Sequence, residues 1–91
     1  MDWRSERRGN NLVGIPSGPI DHDTANAFYD RLATAIGDAA ESGGNLVIYF
    51  AGVDFMSSVG LRSLTRAAKL GKEKSVAIGM ANLNATLTEI F

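Results

Sequence analysis

The chain has 91 residues, with 9 basic and 10 acidic side chains and a net charge of −1 at pH 7. This length predicts a single domain, residues 1–91, built on one hydrophobic core. The absence of cysteine excludes disulfide frameworks, thiolate zinc sites and thiol nucleophiles, and the single histidine, His22, excludes a multi-histidine metal site. The balanced charge, without a long basic block, argues against a nucleic-acid partner.

The sequence also lacks the marks of a membrane or secreted protein. Its longest apolar run, residues 46–51, is far shorter than the roughly 20 residues that cross a bilayer. The N-terminal residues 1–4 do not have the layout of a signal peptide. We therefore expect a cytoplasmic protein with no membrane partner.

A β-hairpin is predicted at the N-terminus. Residues 2–8 are polar and fit an edge strand, and Gly9 and Asn10 tolerate the positive φ of a tight turn into a second strand over residues 11–15. Residues 16–19, Pro-Ser-Gly-Pro, are expected to end regular structure, because proline cannot donate to a ladder and glycine permits a bend. A loop through residues 21–23 follows.

A helix is predicted from Thr24 onward, since apolar residues recur there at three- and four-residue steps with polar residues between them. Asp23 is expected to cap the first turn, and Gly43 and Gly44 to end the helix in a left-handed conformation. The predicted buried positions are Ala25, Phe28, Leu32, Ala35, Ile36 and Ala39.

The second half predicts a strand, a helix and a strand joined by a right-handed crossover. Residues 45–50, which are apolar from Leu46 onward and show no alternation, are typical of a central strand covered on both faces. Residues 51–57 form a turn into a helix that Gly71 ends, and residues 75–80 form the next strand. The apolar side of that helix is formed by Leu61, Leu64, Ala67 and Ala68. Its basic side is formed by Arg62, Arg66 and Lys69.

These elements indicate an α/β fold with a small mixed, mostly parallel sheet and helices packed beside it. The last segment, residues 82–91, predicts one more helix with an apolar face that nothing downstream covers. We therefore expect the chain to self-associate, for example as a homodimer, or to be less stable than a version extended by a further strand and helix. The residues of this face are Leu83, Leu87, Ile90 and Phe91.

Two adjacent serines, Ser57 and Ser58, stand where the second helix begins. The free amides of a first helical turn favour an oxygen atom or an anion. One interpretation is that a serine only caps the helix, which is worth about 1 kcal/mol. The other is that one serine accepts a phosphate, since the helix dipole tolerates the added negative charge.

Enzymatic interpretations find less support. Ser58-Val59-Gly60 matches half of a nucleophile elbow, but Met56 stands where that motif needs its first glycine. His22 is expected in a solvated loop, and Gly71-Lys72 lacks the rest of a phosphate-binding loop. We therefore predict no enzyme, no catalytic residue, no metal and no cofactor. Other candidate residues are interpreted as caps, turn formers or edge packing, namely Asp21, Asp23, Asp54, Trp3 and Tyr29.

Two segments resemble the signatures of STAS domains. Residues 18–25 contain a glycine followed three residues later by an aspartate, and residues 55–61 contain Ser-x-Gly-Leu after a strand. Both stand in the order and the elements that this family has. The chain therefore resembles a STAS domain from its first strand to Phe91. Within that family it is most similar to the anti-sigma-factor antagonists.

This resemblance implies a switch by phosphorylation. Ser58 aligns with the serine that anti-sigma factors of the serine-kinase type phosphorylate, and Ser57 is the second candidate. Asp21, Ser57, Ser58 and Arg62 are the implied partner-binding residues. The unphosphorylated antagonist would bind the anti-sigma factor and release a sigma factor for transcription. Phosphorylation would break that complex, and a metal-dependent serine phosphatase would restore it.

The sequence departs from the family pattern at two points. Many antagonists have aspartate directly before the acceptor serine, whereas this chain has Ser57 there and Asp54 as its nearest upstream acid. Family domains also usually continue with another strand and helix, which do not follow Phe91. The alternative function is a constitutive STAS scaffold subunit of a lipid-transport or signalling complex without a phosphorylation cycle. A nucleotide-sensing module is the third alternative, for which the sequence has no glycine-rich loop.

Overall fold

The computed structural model describes residues 1–81 as a four-stranded mixed sheet with two helices. Strands β1 and β2 are antiparallel, β2 and β3 are parallel, and β3 and β4 are parallel, in the spatial order β1-β2-β3-β4. This confirms the predicted α/β class and the mostly parallel sheet. The elements are β1 Asp2–Arg8, β2 Asn11–Ser17, α1 Ala25–Glu41, β3 Leu46–Tyr49, α2 Ser58–Glu73 and β4 Ile78–Ala81.

The predicted hairpin is confirmed, but its second strand is longer than expected. Gly9 takes the positive φ of the turn, at 62°. Strand β2 continues through Pro16 to Ser17, so the prediction that regular structure ends at residue 15 was wrong by two residues. Pro16 is tolerated because it pairs only with Trp3 across the hairpin, beyond the three β2 residues that pair with β3.

The core is formed by the sheet, helix α1 and the buried side of helix α2. Every predicted buried position of α1 is buried, which confirms the helical period. In β3, by contrast, Leu46 and Ile48 are buried while Val47 and Tyr49 are only partly buried. The expectation of a strand fully covered on both faces was therefore wrong, because successive side chains of a strand point to opposite faces and only Leu46 and Ile48 join the core that α1 covers.

The two helices end in different ways. After α1, Gly43 has a φ of 72° and the Gly44 N–H bonds to the Ala39 carbonyl at 2.9 Å, which confirms the predicted glycine end. Helix α2 instead continues past Gly71 to Glu73, so the prediction that Gly71 ends it was wrong. A Cβ at residue 71 would lie 2.8 Å from the carbonyl oxygen of the residue five positions on, which explains why glycine stands there.

Smaller differences concern the edges of α2 and β4. Ala68, predicted on the apolar side of α2, is exposed, whereas Leu64 and Ala67 are buried. The final strand begins at Ile78 instead of residue 75, because Ser75 has a φ of 59° that a strand does not accept. The predicted apolar helix over residues 82–91 lies outside the described residues. Within residues 1–81, no helix has the length and hydropathy to cross a membrane.

Candidate functional site

Two loops meet at the carboxyl ends of β2 and β3. We call residues 18–24 the acid loop and residues 50–57 the junction loop. Isolated bridges join Ser17 to Gly52 and Ile20 to Met56, so the two loops run side by side. The Ile20 N–H donates to the Phe55 carbonyl at 3.0 Å, and the Ser57 N–H donates to the Ile20 carbonyl at 2.8 Å. The start of α2 is therefore tied to the acid loop.

Glycine at position 60 allows this close approach. A Cβ there would lie 2.8 Å from both Ile20 Cγ2 and Met56 Cγ, so any larger residue would push α2 away from the two loops. Ile20 and Met56 are themselves buried. The glycine of the Ser-x-Gly segment therefore has a packing role, which its spacing in the sequence alone did not reveal.

The two serines take different positions at the start of α2. Ser57 is the N-cap, with extended backbone, and its hydroxyl accepts a hydrogen bond from the Gly60 N–H at 3.3 Å. Ser58 is the first helical residue and is exposed. Among residues 1–81, no residue forms a hydrogen bond with the Ser58 hydroxyl. The capping interpretation therefore applies to Ser57, and Ser58 presents a hydroxyl that the helix does not use.

The acid loop turns on Asp21 rather than Asp23. The Asp21 carboxylate accepts hydrogen bonds from the N–H groups of Asp23 at 3.0 Å and Thr24 at 3.2 Å. Helix α1 begins at Ala25 with Thr24 as N-cap, so the expectation that Asp23 caps it was wrong. Asp21 can fold back because aspartate readily accepts from the amides two and three residues ahead.

These hydrogen bonds also favour the ionised form of Asp21. Partial burial raises the pKa of this carboxyl group, but the bonds from the Asp23 N–H and from the hydroxyl and N–H of Thr24 together lower it by more. The net pKa lies below the ordinary value because these donors favour the ionised form. A negative charge therefore stands at Asp21, next to the start of α2, at neutral pH.

The exposed side of α2 is basic, as predicted. Arg62 is exposed four residues after Ser58, which places both on the same side of the helix. Arg66, one turn further, lies 4.0 Å from the centre of the Tyr29 ring of α1, a cation–π contact between the helices. Tyr29 is partly buried in this contact, in agreement with its predicted packing role. His22 is exposed in the acid loop.

Other features of the described residues carry little chemistry. Trp3 packs over Gly14, with its ring centre 6.4 Å from that of Phe28, so it serves edge packing as expected. A cleft of about 90 Å³ between β1 and α1 is lined in part by Trp3, Arg31 and Asp38, not by residues of either loop. Within residues 1–81, no three acidic or histidine side chains are grouped closely enough to hold a metal ion.

One residue at this site was missed by the sequence analysis. Phe55 is 51% exposed, although it lies between the buried side chains of Val53 and Met56. An apolar residue in this segment predicts burial, so only the structure identifies Phe55 as part of the surface. The residues that the structure brings together here are Phe55, Asp21, Ser57 and Ser58, with Arg62 one turn into α2.

Comparison with known proteins identifies a matching domain family and similar solved structures. The family model described as "STAS domain" matches residues 2–91. No curated protein sequence matches the chain. A structure of the anti-sigma factor antagonist SpoIIAA in its unphosphorylated form is similar, with a TM-score of 0.75 and 18% identity over 99% of this chain and 81% of that one. The phosphorylated form of SpoIIAA, from Bacillus, has a TM-score of 0.74 and 18% identity over 99% and 80%.

A structure of the protein Mglu is similar as well, with a TM-score of 0.73 and 22% identity. The match covers 90% of this chain and 20% of Mglu, so the chain spans about a fifth of that protein's length. At these identities the structural matches establish a shared fold. They do not carry over partners or activities from SpoIIAA or Mglu.

Proposed function

Because the chain belongs to the STAS domain family, we propose that it is a protein-binding module whose binding is switched by phosphorylation of Ser58. The proposed partner is an anti-sigma factor with serine-kinase activity, and a serine phosphatase reverses the modification. The chain thus acts as an anti-sigma-factor antagonist and not as an enzyme. The similar protein SpoIIAA, described as such an antagonist, has been solved in phosphorylated and unphosphorylated forms, which supports this choice.

One observation carries the proposal: the two adjacent serines are not equivalent. The Ser57 hydroxyl accepts the Gly60 N–H, while the exposed Ser58 hydroxyl has no hydrogen-bond partner within residues 1–81. A kinase can therefore reach Ser58 without breaking the cap of α2. This supports Ser58 over Ser57 as the acceptor.

The position of Ser58 also explains how phosphorylation could leave the fold intact. A phosphate adds a charge of about −1.5 to −2 at neutral pH, and the positive end of a helix dipole favours that charge. The change would therefore be felt by a partner that contacts this surface. Asp21, Ser57, Ser58 and Arg62 are the proposed partner-binding residues, since all four lie around the start of α2.

The competing proposal is a constitutive scaffold module without a phosphorylation cycle. The similarity to one fifth of Mglu favours it, because the same fold occurs there as part of a much longer protein. Under that proposal Ser58 would be an ordinary surface residue. The two functions differ in whether a kinase modifies Ser58 and whether that modification changes binding.

The experiment combines phosphorylation and binding on the purified chain. Serine-kinase anti-sigma factors from the same organism are incubated with ATP and the chain, and the modified residue is mapped by mass spectrometry. Calorimetry then compares the wild type with Ser58→Ala, Ser58→Asp and Ser57→Ala. We expect Ser58→Ala to bind without being phosphorylated, and Ser58→Asp to bind about 10-fold more weakly or worse. Equal binding by all variants, with no phosphate on Ser58, would favour the scaffold.

A further inference from the structure

Phe55 is an exposed aromatic side chain in a loop whose other large apolar side chains are buried. Among residues 1–81, Phe55 and Met80 are the large apolar side chains that are exposed, at 51% and 45%. In the junction loop, Phe50, Val53 and Met56 are all buried. Phe55 alone among these four is directed outward.

The backbone holds Phe55 in this orientation. Its carbonyl accepts the Ile20 N–H at 3.0 Å, and the Ser57 N–H two residues on is bonded to the Ile20 carbonyl at 2.8 Å. Between them, Met56 pairs with Ile20 and points into the core. Because neighbouring residues of an extended segment point to opposite sides, burial of Met56 directs Phe55 to the surface. The aromatic ring is thus presented from a fixed loop.

We propose that Phe55 is the apolar anchor of the partner-binding surface and that it fills an apolar pocket on the anti-sigma factor. This inference rests on the proposed function and names the contact that supplies its affinity. Aromatic side chains held in a defined orientation are typical binding hot spots, because they bury a large area with little loss of conformational freedom. Only Met56 and Ser57 separate Phe55 from Ser58 in the sequence, so one partner surface covers both.

The position of Phe55 close to Ser58 also explains why phosphorylation would weaken partner binding. A phosphate at Ser58 would have to be brought into an apolar contact that also buries Phe55, which costs the hydration of the phosphate. A partner that covers both the Ser58 phosphate and the Asp21 carboxylate would also exclude the solvent that screens their like-charge repulsion, since the acid loop is hydrogen-bonded to the start of α2. Phosphorylation therefore weakens the complex by opposing burial of Phe55. This predicts that the anchor and the switch are energetically coupled.

The test is a double-mutant cycle on the full chain. The probe is a purified anti-sigma factor shown to phosphorylate Ser58, and its affinity is measured by calorimetry for wild type, Phe55→Ala, phosphorylated wild type and phosphorylated Phe55→Ala. Met80→Ala is the matched control, since it removes another exposed apolar side chain from β4. Circular dichroism and thermal unfolding check that each variant remains folded.

We expect Phe55→Ala to weaken binding about 30-fold, Phe55→Leu to retain most affinity, and Met80→Ala to bind like wild type. Phosphorylation should weaken the Phe55→Ala variant by a smaller factor than it weakens wild type. If folded Phe55→Ala binds normally while Ser58 phosphorylation still abolishes binding, the anchor is refuted and the switch stands. Equal fold-losses on phosphorylation refute the coupling. Loss of self-association instead of partner binding assigns Phe55 to a second copy and also overturns the anchor.

Failure of the proposed function gives a different result. If no anti-sigma factor of the organism phosphorylates Ser58 or binds the unmodified chain, the switch and the anchor are both overturned. Phosphorylation of Ser58 with unchanged affinity overturns the switch. In that case a large effect of Phe55→Ala still identifies this surface as the binding site.

Discussion

The N–H of Ser57 donates a hydrogen bond to the carbonyl oxygen of Ile20, with 2.8 Å between nitrogen and oxygen. This bond joins the N-cap of α2 to the residue that precedes Asp21. The Asp21 turn and the start of α2 are therefore parts of one surface, although they lie far apart in sequence. Changes to the packing beneath this bond should affect both.

Replacing each of the two serines in turn by alanine should distinguish the residue that stabilises the chain from the residue that is phosphorylated. Ser57→Ala removes the acceptor of the Gly60 N–H and should lower the free energy of unfolding by about 1 kcal/mol. Ser58→Ala should change it by less than about 0.5 kcal/mol, because the Ser58 hydroxyl is exposed. Urea unfolding measures both values. Kinase assays on the same variants should show that Ser57→Ala keeps most of the phosphorylation. If Ser57→Ala loses the phosphorylation and Ser58→Ala keeps it, the acceptor is Ser57 instead of Ser58.

Gly60→Ala should loosen the junction between α2 and the two loops. The added methyl group would meet Ile20 and Met56 at 2.8 Å, and overpacking of this kind costs about 1–3 kcal/mol. Gly37→Ala is the matched control, since a Cβ at that position of α1 meets nothing within 4 Å. It should instead stabilise the chain by about 0.5–1 kcal/mol. Thermal unfolding that moves both variants in the same direction would contradict the packing role of Gly60.

Gly14→Ala should displace the single tryptophan. A Cβ at residue 14 would lie 2.5 Å from Trp3 Cζ2, so the indole would have to leave its place on β2. We expect a loss of about 1–3 kcal/mol and a red shift of the tryptophan fluorescence. Gly79→Ala on β4 serves as control, because its nearest neighbour would be 4.0 Å away. An unshifted emission spectrum in Gly14→Ala would show that Trp3 does not depend on this contact.

Asp21 should account for part of the loss of folding stability at acidic pH. Its pKa is lowered below the ordinary value of 3.8 in the folded chain, so its stabilising effect is present above that value and is lost as the pH falls through the folded pKa. Asp21→Asn keeps a side-chain acceptor for the Asp23 and Thr24 amides but does not titrate. Urea midpoints of both proteins, measured between pH 6 and pH 2, isolate this contribution from that of the other acids.

We expect wild type to lose more stability than Asp21→Asn below pH 4, and the difference between the two to level off once Asp21 is protonated. If the urea midpoints of the two proteins change in parallel over the whole pH range, the folded state does not stabilise the ionised form of Asp21. A midpoint difference that is still growing as the pH approaches 6 would point to another titrating group.

The sequence by itself determined the order and type of the elements. The hydrophobic period of α1 identified all six of its buried residues, and Gly9 and Gly43 marked a turn and a helix end. These are local properties, since a helical stripe or a positive φ depends on residues within a few positions. The signature segments were also sufficient to indicate the family that the comparison with known proteins established.

Only the tertiary structure decided how the site is built. It assigned the cap to Ser57 and left Ser58 exposed, it turned Phe55 outward, and it explained Gly60 by the approach of Ile20. The orientation of Phe55 and the packing of Gly60 depend on the contact between the acid loop and the junction loop, whose bridges join residues 35 and 36 positions apart in sequence (Ser17 with Gly52, Ile20 with Met56). Local periodicity carries no information about such a contact, because it reports which face of an element is apolar and not which distant segment packs against it.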